Sequence, residues 1–343
     1  MGVAQRSTSV TSVSSNGYYA ADRWKWYIGT PGTSVFTISR ETDSPAGFGH
    51  STKIINTTAG TIAAGTELFI SQQIEGLNLQ QIQKGTATAK QVTVSFWIKA
   101  TQIGTYILEL YDMDNSRICS QSYTVSVTDT WEYKTVTFPA DTTGVFGADT
   151  GGSLWVDFWM RAGTTFSSGT LATTWAGEVN ANRAVGQVDA LDTLNDAVQI
   201  TGVQLEVGST ATPFEYKGIG QEIADCRRYY EKSYVIGTAP GTANQENGVQ
   251  SIFTSDGMTN GTATRFGGTH YSVEKRGSPT VTIFSREGTS GCISNSALTT
   301  LAAGSGTATW IGSSGFIMQM DAASSISPLN GGYVWHWVAD AEL

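Results

Sequence analysis

Two tryptophans and a carboxylate alternate with apolar residues in the segment LWVDFWM, which begins at Leu154. A period of two is typical of a β-strand whose two faces differ. One face is wholly apolar and is expected to lie in a core: Leu154, Val156, Phe158 and Met160. Trp155, Asp157 and Trp159 share the opposite face. There the rings could stack on the apolar face of a sugar, and the carboxylate could accept hydrogen bonds from its hydroxyl groups.

This face has competing interpretations. It could instead be buried beneath the loop-rich segment 161–198 or in a contact between subunits, because two tryptophans on a non-core face need a partner. We add Trp97, from the non-core side of another predicted strand, to the hypothetical glycan site. A glycosidase would need two carboxylates at a set separation, and Asp157 with Glu109 or Asp112 is the conceivable pair.

The sequence contains no recognised catalytic motif. There is no GxSxG, HExxH or P-loop, and no GxGxxG that precedes a helix. The three histidines, His50, His270 and His336, lie far apart, and none belongs to a recognised metal-ligand motif. We therefore expect that the protein is not an enzyme and that it has no catalytic residues.

The sequence contains one weak candidate for a metal-binding site. Calcium prefers oxygen ligands, and a loose patch supplies them: Asp189, Asp192, Asn195 and Asp196. Their spacing does not match an EF-hand loop, so a solvated acidic turn is the alternative. We predict no cofactor other than a structural calcium ion that such a patch could hold.

The segment from Ile200 to Tyr234 organises the rest of the chain. Its first part alternates with a period of two and predicts a strand that closes a sheet, with one face made of Val203, Leu205 and Val207. Gly208 and Pro213 end this strand. Apolar residues then follow at helical spacing and predict a short amphipathic helix: Ile223, Cys226 and Tyr230.

Composition favours an all-β protein. The 343 residues suffice for two domains with separate cores, and the 14% of charged residues is low for long helices. The net charge of −9 and the lack of Lys/Arg blocks argue against nucleic acid or an anionic membrane surface as a partner. No run of eighteen apolar residues predicts membrane insertion.

Three stretches resemble one family. GVQLEVGSTATPFE followed by CRRYYEKSY is similar to a junction found in many tail-fibre and virion structural proteins of tailed bacteriophages. VAQRSTS with GYYAADRWKW near the start and VWHWVADAEL at the end fit the same family. The resemblance implies a jelly-roll module like a carbohydrate-binding module, then a small β-rich C-terminal domain. It implies a place in a virion and no reaction.

These observations predict a jelly-roll β-sandwich over 1–217, a linking amphipathic helix over 218–234 and a smaller β-rich domain over 235–343. The resemblance implies a non-enzymatic protein on the phage particle surface, either a tail fibre or appendage or a capsid decoration. As a homotrimer it would contact other virion proteins and host cell-surface glycans. The alternative is a glycan-degrading depolymerase. Residues expected where chains meet are Ile223, Tyr229, Tyr230, Trp335 and Trp337.

Overall fold

The computed structural model describes residues 1–254, 264–295, 300–301, 304–320 and 331–343. The chain divides into two compact units. The N-terminal unit comprises Met1–Gly2, Thr8–Lys217 and Leu343, and the C-terminal unit comprises Val3–Ser7 and Gly218–Glu342. Antiparallel strands dominate both units, so the prediction of an all-β protein with a jelly-roll sandwich is confirmed.

The N-terminal unit is a sandwich of two antiparallel sheets. Its strands are β1 Ser9–Val13, β2 Gly17–Tyr18, β3 Trp24–Gly29, β4 Val35–Glu41, β5 Ser51–Thr58, β6 Glu67–Glu75, β7 Val92–Ala100, β8 Gly104–Asp112, β9 Arg117–Val125, β10 Glu132–Phe138, β11 Gly152–Ala162, β12 Ala176–Gly177 and β13 Ala197–Val207. The first sheet has the order β1-β4-β5-β13-β7-β10, and the second β12-β9-β8-β11-β6-β3-β2. Short helical segments lie between some of these strands, namely α1 Thr164–Ser167 and the 3-10 helices Gly76–Ile82 and Asn180–Asn182.

The core of this unit lies between the two sheets. The apolar face of β11 is buried there, as its alternation predicts, together with Phe96 of β7 and Trp26 of β3. Complete burial of a large apolar side chain stabilises the fold by about 1.5–3 kcal/mol. The alternating pattern of each strand therefore places its other face outside the sandwich core.

Strand β13 changes phase in its middle. Val198 and Ile200 are buried in the sandwich core, and after a bulge at Gly202 it is Val203 and Leu205 that pack against the same core. A bulge adds one residue to one strand of a pair, so the face on which later side chains lie is inverted. Gly202 adopts φ +60°, in the left-handed region that favours glycine.

The C-terminal unit contains one helix and two smaller sheets in its described residues. Its elements are α2 Ile219–Arg227, β14 Tyr230–Lys232, β15 Gln250–Thr254, β16 Thr264–His270, β17 Thr280–Phe284, β18 Ser294–Asn295, β19 Gly306–Thr309, β20 Gly315–Met320 and β21 Gly331–Asp340. The long strand β21 is central, because it pairs with β15 and β18 along its first half and with β14 and β17 along its second half. A three-stranded sheet has the order β16-β20-β19.

The helix is shorter than the span 218–234 that the sequence predicts. It ends at Arg227, and Tyr230 begins β14 because its backbone pairs with Asp340 of β21. Helical spacing placed Tyr230 on the helix, but sheet pairing with a segment over one hundred residues later decides its conformation.

Candidate functional site

The face that the sequence singled out is the outer face of the seven-stranded sheet. The apolar side chains of β11 belong to the sandwich core, which leaves Trp155, Asp157 and Trp159 on the other side. In the sheet, Trp155 is flanked by Gln73 of β6 and Tyr111 of β8. The three β11 residues thus share one face as predicted, although their surroundings differ.

Three aromatic rings form a partly exposed cluster on this face, which we call the aromatic platform: Tyr27, Tyr111 and Trp155. The ring centroid of Trp155 lies 5.2 Å from that of Tyr27 and 5.7 Å from that of Tyr111. The sequence analysis did not assign Tyr27 and Tyr111 to the site. The signal was available, since both lie on non-core faces of their strands.

Polar groups surround the platform. The Gln73 side-chain amide donates a hydrogen bond of 2.8 Å to the Tyr27 hydroxyl, and the Tyr111 hydroxyl donates one of 2.7 Å to Glu178. The Lys25 ammonium lies 4.9 Å from the Tyr27 ring centroid. Burial and the hydrogen bond to Glu178 raise the pKa of Tyr111 to about 12, so its hydroxyl remains a donor at neutral pH.

Trp159 is fully buried and cannot reach a ligand. Phe166 and Ala184, from a segment we call the strap (residues 163–190), pack over it together with Phe69 and Ile107 of the sheet. Its indole nitrogen donates a hydrogen bond of 2.9 Å to Glu109. The prediction that Trp159 stacks on a glycan is therefore wrong for this conformation, and the alternative of burial under the 161–198 segment describes it correctly.

Asp157 is also fully buried, in a cluster of charged groups beneath the platform. Its sheet neighbour Glu109 is buried as well and forms a two-pronged ion pair with Arg183 of the strap, at 2.9 and 3.0 Å. Burial, followed by the nearby charge of Glu109, raises the pKa of Asp157 well above its ordinary value, while Arg183 at 4.0 Å opposes this shift. Asp157 therefore belongs to the interior and not to an open binding face.

Trp97 lies on a different sheet from Trp155. It belongs to β7 of the six-stranded sheet, where it is half-buried and packs against Tyr133 of β10 at 5.4 Å between ring centroids. The prediction that Trp97 and Trp155 share one surface is wrong, because alternation within a strand carries no information about which sheet the strand joins.

Four of the five residues expected at a contact between chains are buried within the C-terminal unit. Trp335 packs against Phe266 at 6.1 Å, and Trp337 packs against Tyr271 at 5.7 Å. The other two buried residues are Tyr229 and Tyr230, whereas Ile223 on α2 is half-buried. These aromatic side chains build the core of a small unit, so they do not indicate an interface.

The two carboxylate pairs considered for glycosidase chemistry have other roles. Asp157 and Glu109 are cross-strand neighbours, but both are sealed from solvent. Asp112 forms a buried ion pair with Lys84.

A serine and a histidine also lie together in the C-terminal unit. Nδ1 of the buried His336 lies 2.9 Å from the Ser233 hydroxyl, and the same hydroxyl accepts a hydrogen bond from the backbone N–H of Trp337. This serine and histidine therefore hold strands together inside the C-terminal unit.

The acidic patch considered for calcium is engaged with protein donors. Asp189 forms an ion pair with Arg161 at 2.7 Å, and Asp196 accepts hydrogen bonds from Thr193 and Gln102. Across the described part of the chain, no group of three His, Cys, Asp or Glu side chains is arranged to hold a metal ion. None of the helices described in the structure is long and apolar enough to span a membrane.

The fold and the platform define a β-sandwich protein of the jelly-roll class. No protein-family model matches the sequence, and no curated protein matches it. Solved structures with a similar fold include the enzymatically active domain of tailspike protein 4 from bacteriophage CBA120, at 12% identity over 54% of this chain, with a TM-score of 0.30. The chain spans 19% of that protein's length.

Two carbohydrate-binding modules are similar in the same way. One is the family 11 module from Clostridium thermocellum, in complex with a β-1,3-1,4-mixed-linked tetrasaccharide, at 9% identity over 60% of this chain and 99% of that one, with a TM-score of 0.29. The other is the CBM22-1 xylan-binding domain from Paenibacillus barcinonensis, at 12% identity over 61% of this chain and 99% of that one, with a TM-score of 0.28. These are likenesses of fold at low identity.

Proposed function

We propose that the N-terminal unit binds glycans on the aromatic platform. The observation that carries this proposal is the grouping of three partly exposed rings, Tyr27, Tyr111 and Trp155, on one sheet face. Ring faces stack on the apolar faces of sugars, and the surrounding amide and carboxylate of Gln73 and Glu178 can exchange hydrogen bonds with sugar hydroxyl groups.

The proposed role is binding without turnover. Beneath the platform, the carboxylates of Asp157 and Glu109 are fully buried, whereas Glu178 beside it accepts a hydrogen bond from the Tyr111 hydroxyl. A glycosidase needs one carboxylic acid and one carboxylate that flank the scissile bond. The burial of Asp157 and Glu109 supports a protein that holds a glycan and releases it unchanged.

The proposal extends to the surface of a phage particle. The resemblance of the junction around Val203–Val207 to virion proteins supports a tail fibre, an appendage or a capsid decoration. There the chain would act as a homotrimer in contact with other virion proteins and take part in host attachment. The homotrimer rests on the resemblance alone, because most of the aromatic residues expected between chains are core residues.

A glycan array tests the binding role. We expect Trp155→Ala to weaken binding of any bound glycan at least tenfold, about 1.4 kcal/mol, because the central ring of the platform is lost. Trp97→Ala is the matched control, since it removes a half-buried tryptophan from the other sheet. Unchanged binding by Trp155→Ala would contradict the proposal.

The absence of turnover, the homotrimer and the location on a phage particle have separate tests. Release of reducing ends from host lipopolysaccharide or capsule would contradict a non-enzymatic role. Light scattering should give three times the chain mass of 36.5 kDa, and a monomer mass would exclude the homotrimer. Immunogold labelling of intact particles should decorate the particle surface if the protein belongs to a virion.

A further inference from the structure

An open groove of about 570 Å³ lies in the C-terminal unit, and its lining shares no residue with the aromatic platform. Its lining includes Thr280 and Thr282 of β17 and the largely buried Val338 of β21. Phe284 and Pro240 also line it. The volume falls within the range of about 300–1,000 Å³ that is typical of small-molecule sites.

The groove has a rigid charged wall built around Arg6. The Arg6 guanidinium lies 3.6 Å from the ring centroid of Tyr230 and pairs with Asp340 at 3.0 Å and Glu342 at 3.3 Å. A guanidinium held between a ring and two carboxylates is fixed in one orientation. Because two carboxylates face one cation, this wall has no positive charge to offer to an acidic ligand.

The accessible groups are of the kind that recognise hydroxyl groups. The Asp340 side chain is 42% exposed and its carboxylate can accept further hydrogen bonds. Thr280 is exposed and Thr282 is half-buried, so their hydroxyl groups face the groove as donors or acceptors. Half-buried Phe284 adds an apolar ring surface, and its other contacts include an edge-on packing with Tyr234.

We propose that this groove is a second saccharide site, selective for sugars that carry no carboxylate or sulfate group. The ring of Phe284 supplies an apolar surface for a sugar, while Asp340 and the two threonines bind hydroxyl groups. A uronic or sialic acid is disfavoured because its carboxylate would lie beside Asp340 without a cation of its own. The residues that bind are all different from those of the aromatic platform.

Saturation-transfer NMR on the full chain tests this site with methyl glycosides of glucose, galactose and N-acetylglucosamine, and with methyl glucuronide as the acidic probe. Sugars at about 10 mM suffice to detect a millimolar Kd. We expect signals from at least one neutral glycoside and at least fivefold weaker signals from the glucuronide. Thr282→Tyr, which fills the groove with a residue that suits a strand, should abolish the signals that remain when Trp155→Ala has removed the central ring of the platform.

Two controls keep the outcomes distinct. Thr135→Tyr makes the same change at an exposed strand position of the N-terminal unit and should leave the signals intact. Trp155→Ala should also leave signals from the groove, so loss in that variant alone would assign binding to the platform and overturn the second site. The absence of any signal from the neutral glycosides, or signals unaffected by Thr282→Tyr, would overturn it as well.

Discussion

Asp157 is a carboxyl group that the fold keeps away from water. Its sheet neighbour Glu109 carries the charge that pairs with Arg183, so a second negative charge in the same place would be repelled. Burial is the larger cause and the charge of Glu109 the second cause of its raised pKa. A carboxyl group in this environment is stabilised in its protonated form.

This shift predicts that Asp157→Asn becomes more stabilising as the pH rises. The folded chain holds the proton of Asp157 more tightly than the unfolded chain does, so wild-type stability is lost as pH increases from about 4 towards the raised pKa. Asparagine has no proton to lose. Thermal unfolding between pH 4 and pH 8 should show the Tm of the variant rising relative to wild type. The free energy of unfolding should rise by about 1.4 kcal/mol for each pH unit between the ordinary and the raised pKa.

Asp192→Asn provides the control for this prediction, because Asp192 is exposed. As a substitution of an exposed residue, it should change the free energy of unfolding by no more than about 0.5 kcal/mol. A constant difference for Asp157→Asn over the same range would show that the buried carboxyl group titrates normally.

Lys84 occupies a position that resembles a cation site. Its ammonium forms an ion pair with Asp112, lies 3.0 Å from Asp141 and donates hydrogen bonds of 2.9 Å to the backbone carbonyls of Thr143 and Gly144. Two carboxylates and two carbonyls are the oxygen ligands that calcium prefers. In this chain the lysine itself supplies the positive charge.

Removal of the ammonium should therefore create calcium dependence. We expect Lys84→Ala to be destabilised by about 3–5 kcal/mol, because Asp112 and Asp141 lose a buried partner. Calcium at one hundred times its Kd should restore about 2.7 kcal/mol. Differential scanning fluorimetry with CaCl2 or EGTA measures both effects. Lys84→Arg should show neither, and equal calcium effects on wild type and Lys84→Ala would contradict the prediction.

For single residues, the sequence predicts which face of a sheet a side chain lies on better than it predicts whether that side chain is exposed to solvent. Alternation correctly assigned Trp155, Asp157 and Trp159 to one face, yet only Trp155 is accessible. The difference depends on Phe166 and Arg183, which reach this face from the strap. Burial of a strand face beneath an irregular segment leaves no periodic trace in the sequence of either.

At the level of elements, β13 shows how one glycine sets the register of a strand. Gly202 lies at the bulge with φ +60°, and a Cβ there would lie 2.6 Å from the ring of Phe48. Both the backbone conformation and the close ring exclude a side chain. The sequence does contain the signal, since the apolar, core-facing positions change from Val198 and Ile200 to Val203 and Leu205 across a glycine.

Gly202→Ala should consequently destabilise the N-terminal unit. Strain of a residue with positive φ costs about 1–3 kcal/mol, and displacement of Phe48 adds to it. Urea unfolding followed by tryptophan fluorescence measures the loss. Gly177→Ala in β12 is the control, because a Cβ there meets no atom within 4 Å, and its effect should stay within about 0.5 kcal/mol.

The strap is the element that limits the aromatic platform. It is anchored to β9 through β12 and to the sheet through the buried pair of Arg183 and Glu109. Sequence analysis identified 161–198 as loop-rich and kept burial beneath it as an alternative. Composition could not distinguish a covered sheet face from an open one, because loops that cover a sheet and loops that extend away from it are both rich in small and polar residues.

At the scale of the whole molecule, the two compact units do not follow a single cut in the sequence. Val3–Ser7 belongs to the C-terminal unit although it precedes the first strand of the sandwich. Within that unit, the Gln5 side chain donates a hydrogen bond of 2.7 Å to the carbonyl of Tyr230, and the buried Lys232 ammonium donates one to the Gln5 carbonyl. Sequence analysis assigned the whole range 1–217 to one domain, because local patterns do not reveal pairing between chain ends.

This arrangement predicts that a change at position 6 destabilises elements more than two hundred residues away. Arg6→Met keeps a long side chain but removes the guanidinium that pairs with Asp340 and with the nearly buried Glu342, at a cost of about 1.5–3 kcal/mol. Hydrogen exchange measured by mass spectrometry should show faster exchange in β14 and β21, whereas β11 of the N-terminal unit should keep its protection.

The control for this last prediction removes an ion pair that is local to one strand. Lys134→Met breaks the pairing with Glu132 in β10, which lies near the surface, and such pairs contribute about 0–1 kcal/mol. It should leave exchange in β14 and β21 unchanged. If Arg6→Met slowed or left unchanged the exchange of β21, the N-terminal segment would have no stabilising role in the C-terminal unit. Faster exchange confined to β14 and β21 would show that residues at the start of the chain help to hold the unit at its end.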